Sequence, residues 1–209
     1  MKNIFLFLMV AVILAGCSVK VVPLPVESGT INPDQSLTVA KQGITITAAS
    51  TDPLLYSYNL ETPVAAFGVT IANDTDSELA FNIDSFLLTD NEGTQYTPLT
   101  PEKVKEMISR DSYYLIPYPY VGFYYLEDYE KASADAAFLS QQPYFYEVYP
   151  QDIFTKALTG TTIIPKARVH GLLYFKLDMP SRKNVNLLFY RTGTSRSASP
   201  DFVFPFAVK

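Results

Sequence analysis

The sequence predicts a mainly β fold: an antiparallel β-sandwich interrupted by an aromatic-rich, partly helical insertion. Three observations carry that prediction. Apolar residues recur at every second position in short runs on both sides of the chain's middle, the period of a strand with one buried face. Clusters of Asn, Asp, Gly and Pro separate those runs, as tight connections require. Between about 100 and 160 the period of two is lost, and helix signals and tyrosines replace it.

The first element is an export signal over residues 1–16. Lys2 and the amino terminus give a positive start, Ile4 to Leu14 an apolar run, and Ala15-Gly16 a small-residue exit. The run is well short of the ~20 residues that span a bilayer as a helix. Cys17, the single cysteine of the chain, follows at once. Leu14-Ala15-Gly16-Cys17 resembles the lipobox of bacterial lipoproteins. The resemblance implies a diacylglycerol on the Cys17 sulfur, cleavage before Cys17, and acylation of the new amine, palmitate being one such chain. Each buried methylene contributes ~0.8 kcal/mol and one chain holds only marginally, so two or three chains make a stable anchor. Ser18 stands where an Asp could act as a retention signal, which implies sorting to the outer membrane in a diderm cell. In a monoderm the same signal implies the outer face of the plasma membrane.

Residues 17–35 are expected to be the lipidated cysteine and a flexible tether, because "SVKVVPLPVESGTINPDQ" carries three prolines and little periodicity. Residues 36–209 are expected to form one domain. Ile44, Ile46 and Ala48 alternate with Thr45 and Thr47, and Ala65, Phe67, Val69 and Ile71 share a face. Leu79, Phe81 and Ile83 share another before the phase shifts to Phe86 and Leu88, which predicts a bulge or corner near Asp84-Ser85. Thr100 caps and Pro101 opens a helix with Val104, Met107 and Ile108 on one side. Residues 127–142 are a second helix candidate, and "PQDIFTKALTG" a third, ended by Gly160. The strand period then resumes: Leu173, Phe175, Leu177 and Met179 set against Tyr174, Lys176 and Asp178, then "NVNLLFY", then Phe202, Phe204 and Phe206 in register. Pro205 fits best on an edge strand.

The hairpin Phe86-x-Leu88-x-Asp90-x-x-Gly93-x-x-Tyr96 follows a strand that ends in Asn73 and a polar turn. Later, "IIPKARVHGLLYF" places a proline-and-basic turn before a glycine-containing strand. This order resembles the immunoglobulin-like domains of bacterial extracellular lipoproteins, over about half of the mature chain. It implies an immunoglobulin-like sandwich in the cell envelope and carries no assigned activity. The insertion at 100–160 departs from the compact form of those domains.

The residues offer little for catalysis, and no enzyme is expected. His170 is the only histidine, no Gly-x-Ser-x-Gly elbow is present, and Cys17 is expected to be blocked by lipid. His170 opens a strand beside Gly171 and suits a structural role. One histidine and one blocked cysteine make no usual zinc set, and no cofactor is expected. Asp74, Asp76 and Glu78 alternate as calcium ligands do, but without the central glycine of an EF-hand; a polar hairpin tip gives the same pattern. "NDT" at Asn73 matches a glycosylation acceptor and equally a turn. Glu127, Asp128 and Glu130 group as on a solvated helix face. A formal charge of −5 without grouped Lys and Arg argues against nucleic acid as a partner.

Tyrosine remains. Of the 15 tyrosines, ten fall between Tyr113 and Tyr149, and the chain has no tryptophan. A tyrosine ring with its polar tip suits a surface that packs on a sheet or binds a partner. Tyr118, Tyr120, Tyr124 and Tyr125 are the candidate contact patch. The expected function is a non-enzymatic, lipid-anchored binding or structural module, contacting another envelope protein through the insertion. Glycan or peptidoglycan binding is the alternative, ahead of an enzyme or its accessory subunit.

Overall fold

The period of two places apolar side chains on one face of each strand, and two such faces exclude water only by meeting. The computed structural model describes residues 19–51, 63–109, 113–115, 145–147 and 152–209. The export signal and the second helix candidate at 127–142 lie outside them. Two five-stranded antiparallel sheets form an immunoglobulin-like sandwich. In one the order is β1 (Val21–Pro23), β14 (Phe202–Val208), β13 (Asn184–Phe189), β7 (Phe86–Asp90), β8 (Gln95–Tyr96). In the other it is β12 (Arg168–Lys176), β5 (Val64–Asn73), β4 (Ile44–Thr51), β3 (Leu37–Lys41), β2 (Gly29–Ile31). Two short ladders accompany them, β6 (Leu79–Phe81) with β11 (Thr161–Ile163), and β9 (Tyr113–Leu115) with β10 (Phe145–Glu147).

The alternating residues meet as expected. Ile46, Phe67, Val69, Ile71, Phe86, Leu88, Phe175, Leu187, Phe189, Phe204 and Phe206 are wholly buried in one core. Its rings touch in tilted and edge-on pairs, Phe86 with Phe189 at 4.8 Å and Phe67 with Phe206 at 5.3 Å between centroids. Each buried phenyl ring contributes about 1.5–3 kcal/mol by transfer from water. With no disulfide available from one cysteine, this core carries the fold. The phase shift after Phe81 is a corner: a 3₁₀ turn at Ile83–Ser85 carries the chain from the β6 ladder into the first sheet.

The expected tether is corrected by pairing. Val21–Pro23 aligns with Phe206–Val208, and Gly29–Ile31 with Leu37–Val39, so residues 17–35 supply an edge strand to each sheet. The prolines are compatible because both strands are three residues long and lie at the edges. Pro205 is corrected for the same reason. Its strand lies between β1 and β13. The Pro205 carbonyl accepts from Leu24 N at 2.8 Å, so its missing N–H faces the side where β1 has already ended.

A second, smaller cluster covers the outer face of β5 and β12. Helix α1 (Pro101–Ser109) starts on Thr100, whose hydroxyl accepts from Lys103 N, and seats Val104 against Val64, Ala66 and Tyr174. Ile153, in the one-turn helix α2 (Asp152–Thr155), joins them. Tyr174, expected on the polar face, is therefore buried. The third helix stops at Thr155 rather than near Gly160, because Lys156–Leu158 runs along the free edge of β12 instead. Leu172 N donates to Lys156 O at 2.7 Å and Leu158 N to Leu172 O at 2.8 Å. With Leu99 N donating to Tyr174 O, these bonds close an edge that would otherwise present unpaired backbone.

The strands give the sandwich two distinct ends. At one, the 42–43, 74–78, 164–167 and 190–201 loops gather, tied by Arg191 Nη2 to Gln42 Oε1 and Lys166 Nζ to Asp74 O. At the other lie the Asn32–Ser36 turn, the tip of the β7–β8 hairpin, the 177–183 connection, and the junction where Lys20 and Lys209 exchange backbone hydrogen bonds of 2.9 and 2.8 Å.

Candidate functional site

The expected site residues separate by location. Cys17, Tyr118, Tyr120, Tyr124, Tyr125, Glu127, Asp128 and Glu130 lie outside the described residues. The others lie in the sandwich, and most hold the fold together.

Asn73 ends β5, is wholly buried, and acts as a clamp. Its Nδ2 donates to Ser77 O at 2.8 Å, Ile163 O at 3.0 Å and Ile164 O at 3.3 Å. Its Oδ1 accepts from the Thr75 hydroxyl at 2.6 Å and from Thr75 N. An amide nitrogen so engaged is no glycosylation acceptor; the turn reading holds. The three acidic residues after it do not converge. Lys166 Nζ lies 3.0 Å from Asp76 Oδ1, and Asp74 Oδ2 accepts from Thr45 Oγ1. Among the described residues no three His, Cys, Asp or Glu gather as metal ligands.

The hairpin motif is built around a buried carboxylate. Asp90 Oδ1 accepts from the backbone N–H groups of Glu92 and Thr94, each at 2.9 Å, which fixes the turn before Gly93 at φ 81°. Its Oδ2 accepts from the Tyr96 hydroxyl at 2.9 Å and lies 3.4 Å from Arg182 Nη1, which also donates to Glu92. Burial pushes the Asp90 carboxyl up, but Tyr96, the Thr94 and Glu92 amides and the Arg182 charge outweigh it and hold the carboxyl below its ordinary range. Burial first, then donation to Asp90, raises the Tyr96 phenol, so it stays protonated. Asp201, at the opposite end, is also lowered: burial raises it, but Arg191 bonds it through its backbone N–H and its Nε, both at 2.9 Å, and prevails.

These shifts fix the sign of an acid response. A carboxyl lowered in the folded state stabilises it above the unfolded value of about 3.9, and that contribution disappears as pH falls through the folded value. The urea midpoint should therefore be flat from pH 7 to about 5 and fall below about pH 4. Asp90→Asn, with its backbone acceptor retained, should flatten that fall; a variant with the wild-type slope would remove Asp90 from its causes.

Beside this network lies a recess of about 550 Å³ between the edge of the first sheet and the end of β12. Pro63, Tyr96, Leu99 and Leu177 form its apolar walls, with Lys176 and Asp178 at its rim.

The outer face of the second sheet carries a feature that no single segment reveals. The register aligns Thr30, Thr38, Thr47, Thr70 and His170 in one row across β2, β3, β4, β5 and β12. Thr38 and Thr47 hydroxyls lie 2.8 Å apart, Asn32 Nδ2 donates to Thr38, and Thr70 Oγ1 lies 2.9 Å from His170 Nδ1. Adjacent strands are ~4.8 Å apart, and the side chains of the row lean together across that gap to bond one another. His170 thus has Thr70 for its hydrogen-bonding neighbour. The outward parity of Thr47 was legible; the row itself needed the pairing.

No family model matches the chain, and no curated protein matches it. Solved structures that resemble it include the following two. The yjhA protein from Bacillus subtilis is 13% identical with a TM-score of 0.41, the match covering 80% of this chain and 93% of that one. The secreted protein MPT63 from Mycobacterium tuberculosis is 12% identical with a TM-score of 0.36, covering 77% and 87%. Among the described residues no helix is long and apolar enough to cross a membrane.

Proposed function

We propose that this chain is a lipid-anchored protein of the cell envelope that acts as a non-enzymatic binding or structural module. The observation that carries the reading is Cys17 placed directly after Leu14-Ala15-Gly16 at the end of a short apolar run, followed by a sandwich. Support comes from the chemistry of that sandwich, where polar side chains that could act on a substrate are engaged in holding turns. Asp90 and Asp201 orient loops, Asn73 clamps a turn, and His170 meets a threonine. The partner is proposed to be another envelope protein, met through the tyrosine-rich insertion.

Replacing the anchor tests the reading. Cys17→Ala should move the protein out of the membrane fraction, or leave it unprocessed, and remove the acyl mass from its amino-terminal peptide. An unchanged membrane fraction without acyl mass on the wild-type peptide would refute the assignment. Glycan binding is the second reading, favoured by the row from Thr30 to His170, since aligned hydroxyls can exchange hydrogen bonds with a saccharide. A stoichiometric protein cross-linked to the wild type supports the first reading, and retention on peptidoglycan that Thr47→Val abolishes supports the second.

A further inference from the structure

The geometry points to a seated domain rather than a tethered one: the end of the sandwich bearing the Lys20–Lys209 junction rests on the lipid headgroups. This inference rests on the proposed lipid anchor at Cys17 and adds an orientation to it. Its carrying observation is where the fold takes hold of the chain. Lys20 exchanges both backbone hydrogen bonds with Lys209, and Val21 pairs with Val208, so only Ser18 and Val19 separate Cys17 from the ladder. An extended chain covers at most ~3.6 Å per residue, which puts Lys20 within about 11 Å of Cys17. The headgroup layer is itself ~5–8 Å deep on each side of the hydrocarbon. A domain held so closely has no room to stand away from the surface.

The same constraint selects which residues face the lipid. Arg182, Lys183 and the Asn91–Thr94 tip are continuous with the junction: Val208 N donates to Lys183 O, and Lys183 N donates to Asn91 Oδ1 at 3.1 Å. The charges there balance, with Lys20, Arg182, Lys183 and Lys209 set against Asp34, Asp90, Glu92 and Asp178. Charge therefore does not seat the domain; tether length does, helped by Val19, which is exposed at the junction. The end that carries the 74–78, 164–167 and 190–201 loops is left pointing away from the membrane. The seven residues of β14 separate the two ends by ~23 Å at 3.3 Å per residue.

The test uses the lipidated full-length protein in phosphatidylethanolamine–phosphatidylglycerol vesicles that contain a headgroup nitroxide lipid. The thioether at Cys17 leaves an introduced cysteine as the only free thiol, so a fluorophore can be placed at Lys183→Cys near the junction, or at Ser199→Cys or Glu78→Cys at the far end. Quenching at position 183 several-fold above that at 199 and 78 is expected. Equal quenching, or the reverse order, on vesicle-bound protein carrying acyl mass would overturn the seat while leaving the anchor intact. Protein that lacks acyl mass and stays off the vesicles would instead overturn the anchor, and the seat with it. Inserting about twenty Gly and Ser residues between Val19 and Lys20 should lower quenching at 183 to the far-end level, since a flexible chain of that length reaches ~25 Å on average. Quenching that survives the insertion would overturn tether length as the cause.

Discussion

Gly171→Ala should destabilise the protein by about 1–3 kcal/mol, and by more if the edge of β12 is expelled. A methyl group at Gly171 would lie 2.5 Å from both Leu158 Cα and Leu158 N, with Ala157 C at 2.9 Å. These are backbone atoms, so no rotamer change relieves the clash. Relief requires moving Lys156–Leu158 off the strand, which breaks the two hydrogen bonds with Leu172 and withdraws the buried Leu158 from the core. Urea unfolding of wild type and variant measures the loss. Amide exchange at Leu158 and Leu172 reports where it arises, and both should lose protection ahead of Phe67 and Val69 in the neighbouring strand. A variant with the wild-type midpoint would show that the segment can leave the edge at no cost.

Asn73→Asp should cost about 3–5 kcal/mol near neutral pH, the scale of leaving an uncompensated charge in a protein interior. The substitution changes one atom of a wholly buried side chain. The nitrogen that donates to the Ser77, Ile163 and Ile164 carbonyls becomes an oxygen facing the same three oxygens. The Thr75 contacts on the other oxygen survive, so the loss falls on the union of β5 with the 163–167 turn. Burial and the three carbonyl oxygens facing the new oxygen raise the carboxyl against the surviving Thr75 donors, so the variant should recover part of its deficit as pH falls toward 5, opposite to the acid response expected of Asp90. Thermal unfolding at pH 7.5 and 5 distinguishes the two; equal deficits at both values would argue against a buried charge.

These two residues also show where sequence reasoning ends. The strand faces were legible because the inner positions alternate: Ala65, Phe67, Val69 and Ile71 were read as one face and lie together in the core. The corner near Ser85 was legible as a break in that alternation. Asn73 and Gly171 stood out as an asparagine at a strand end and a glycine in a strand, but their partners Ile163 and Leu158 belong to a distant segment. Tyr174 was placed on the polar face because its neighbours Lys176 and Asp178 are charged. What buries it is Val104 and Ile153, which local periodicity cannot supply. The β1 and β2 strands were invisible for a related reason. Three-residue edges in a stretch broken by prolines look like linker, and become strands only because Phe206–Val208 and Leu37–Val39 offer them a ladder. Of the candidate sites, the hairpin acid Asp90 was visible as a motif member. The threonine row was not, because alignment across five strands belongs to register and not to any one stretch of chain.

The position of β14 bears on how such a chain is made. The last strand in sequence is an inner strand of the first sheet, with β1 on one side and β13 on the other, and it brings Phe202, Phe204 and Phe206 to the core. Until residues 202–208 have emerged, β1 has no partner, β13 lacks one of its two neighbours, and the opposite sheet faces a gap three rings wide. The sandwich consequently cannot lock before residues 202–208 have been made, and whatever has folded by then keeps an open seam. The seven-residue β14 joins β1 to β13 and so links the first strand of the domain to the rest of its sheet.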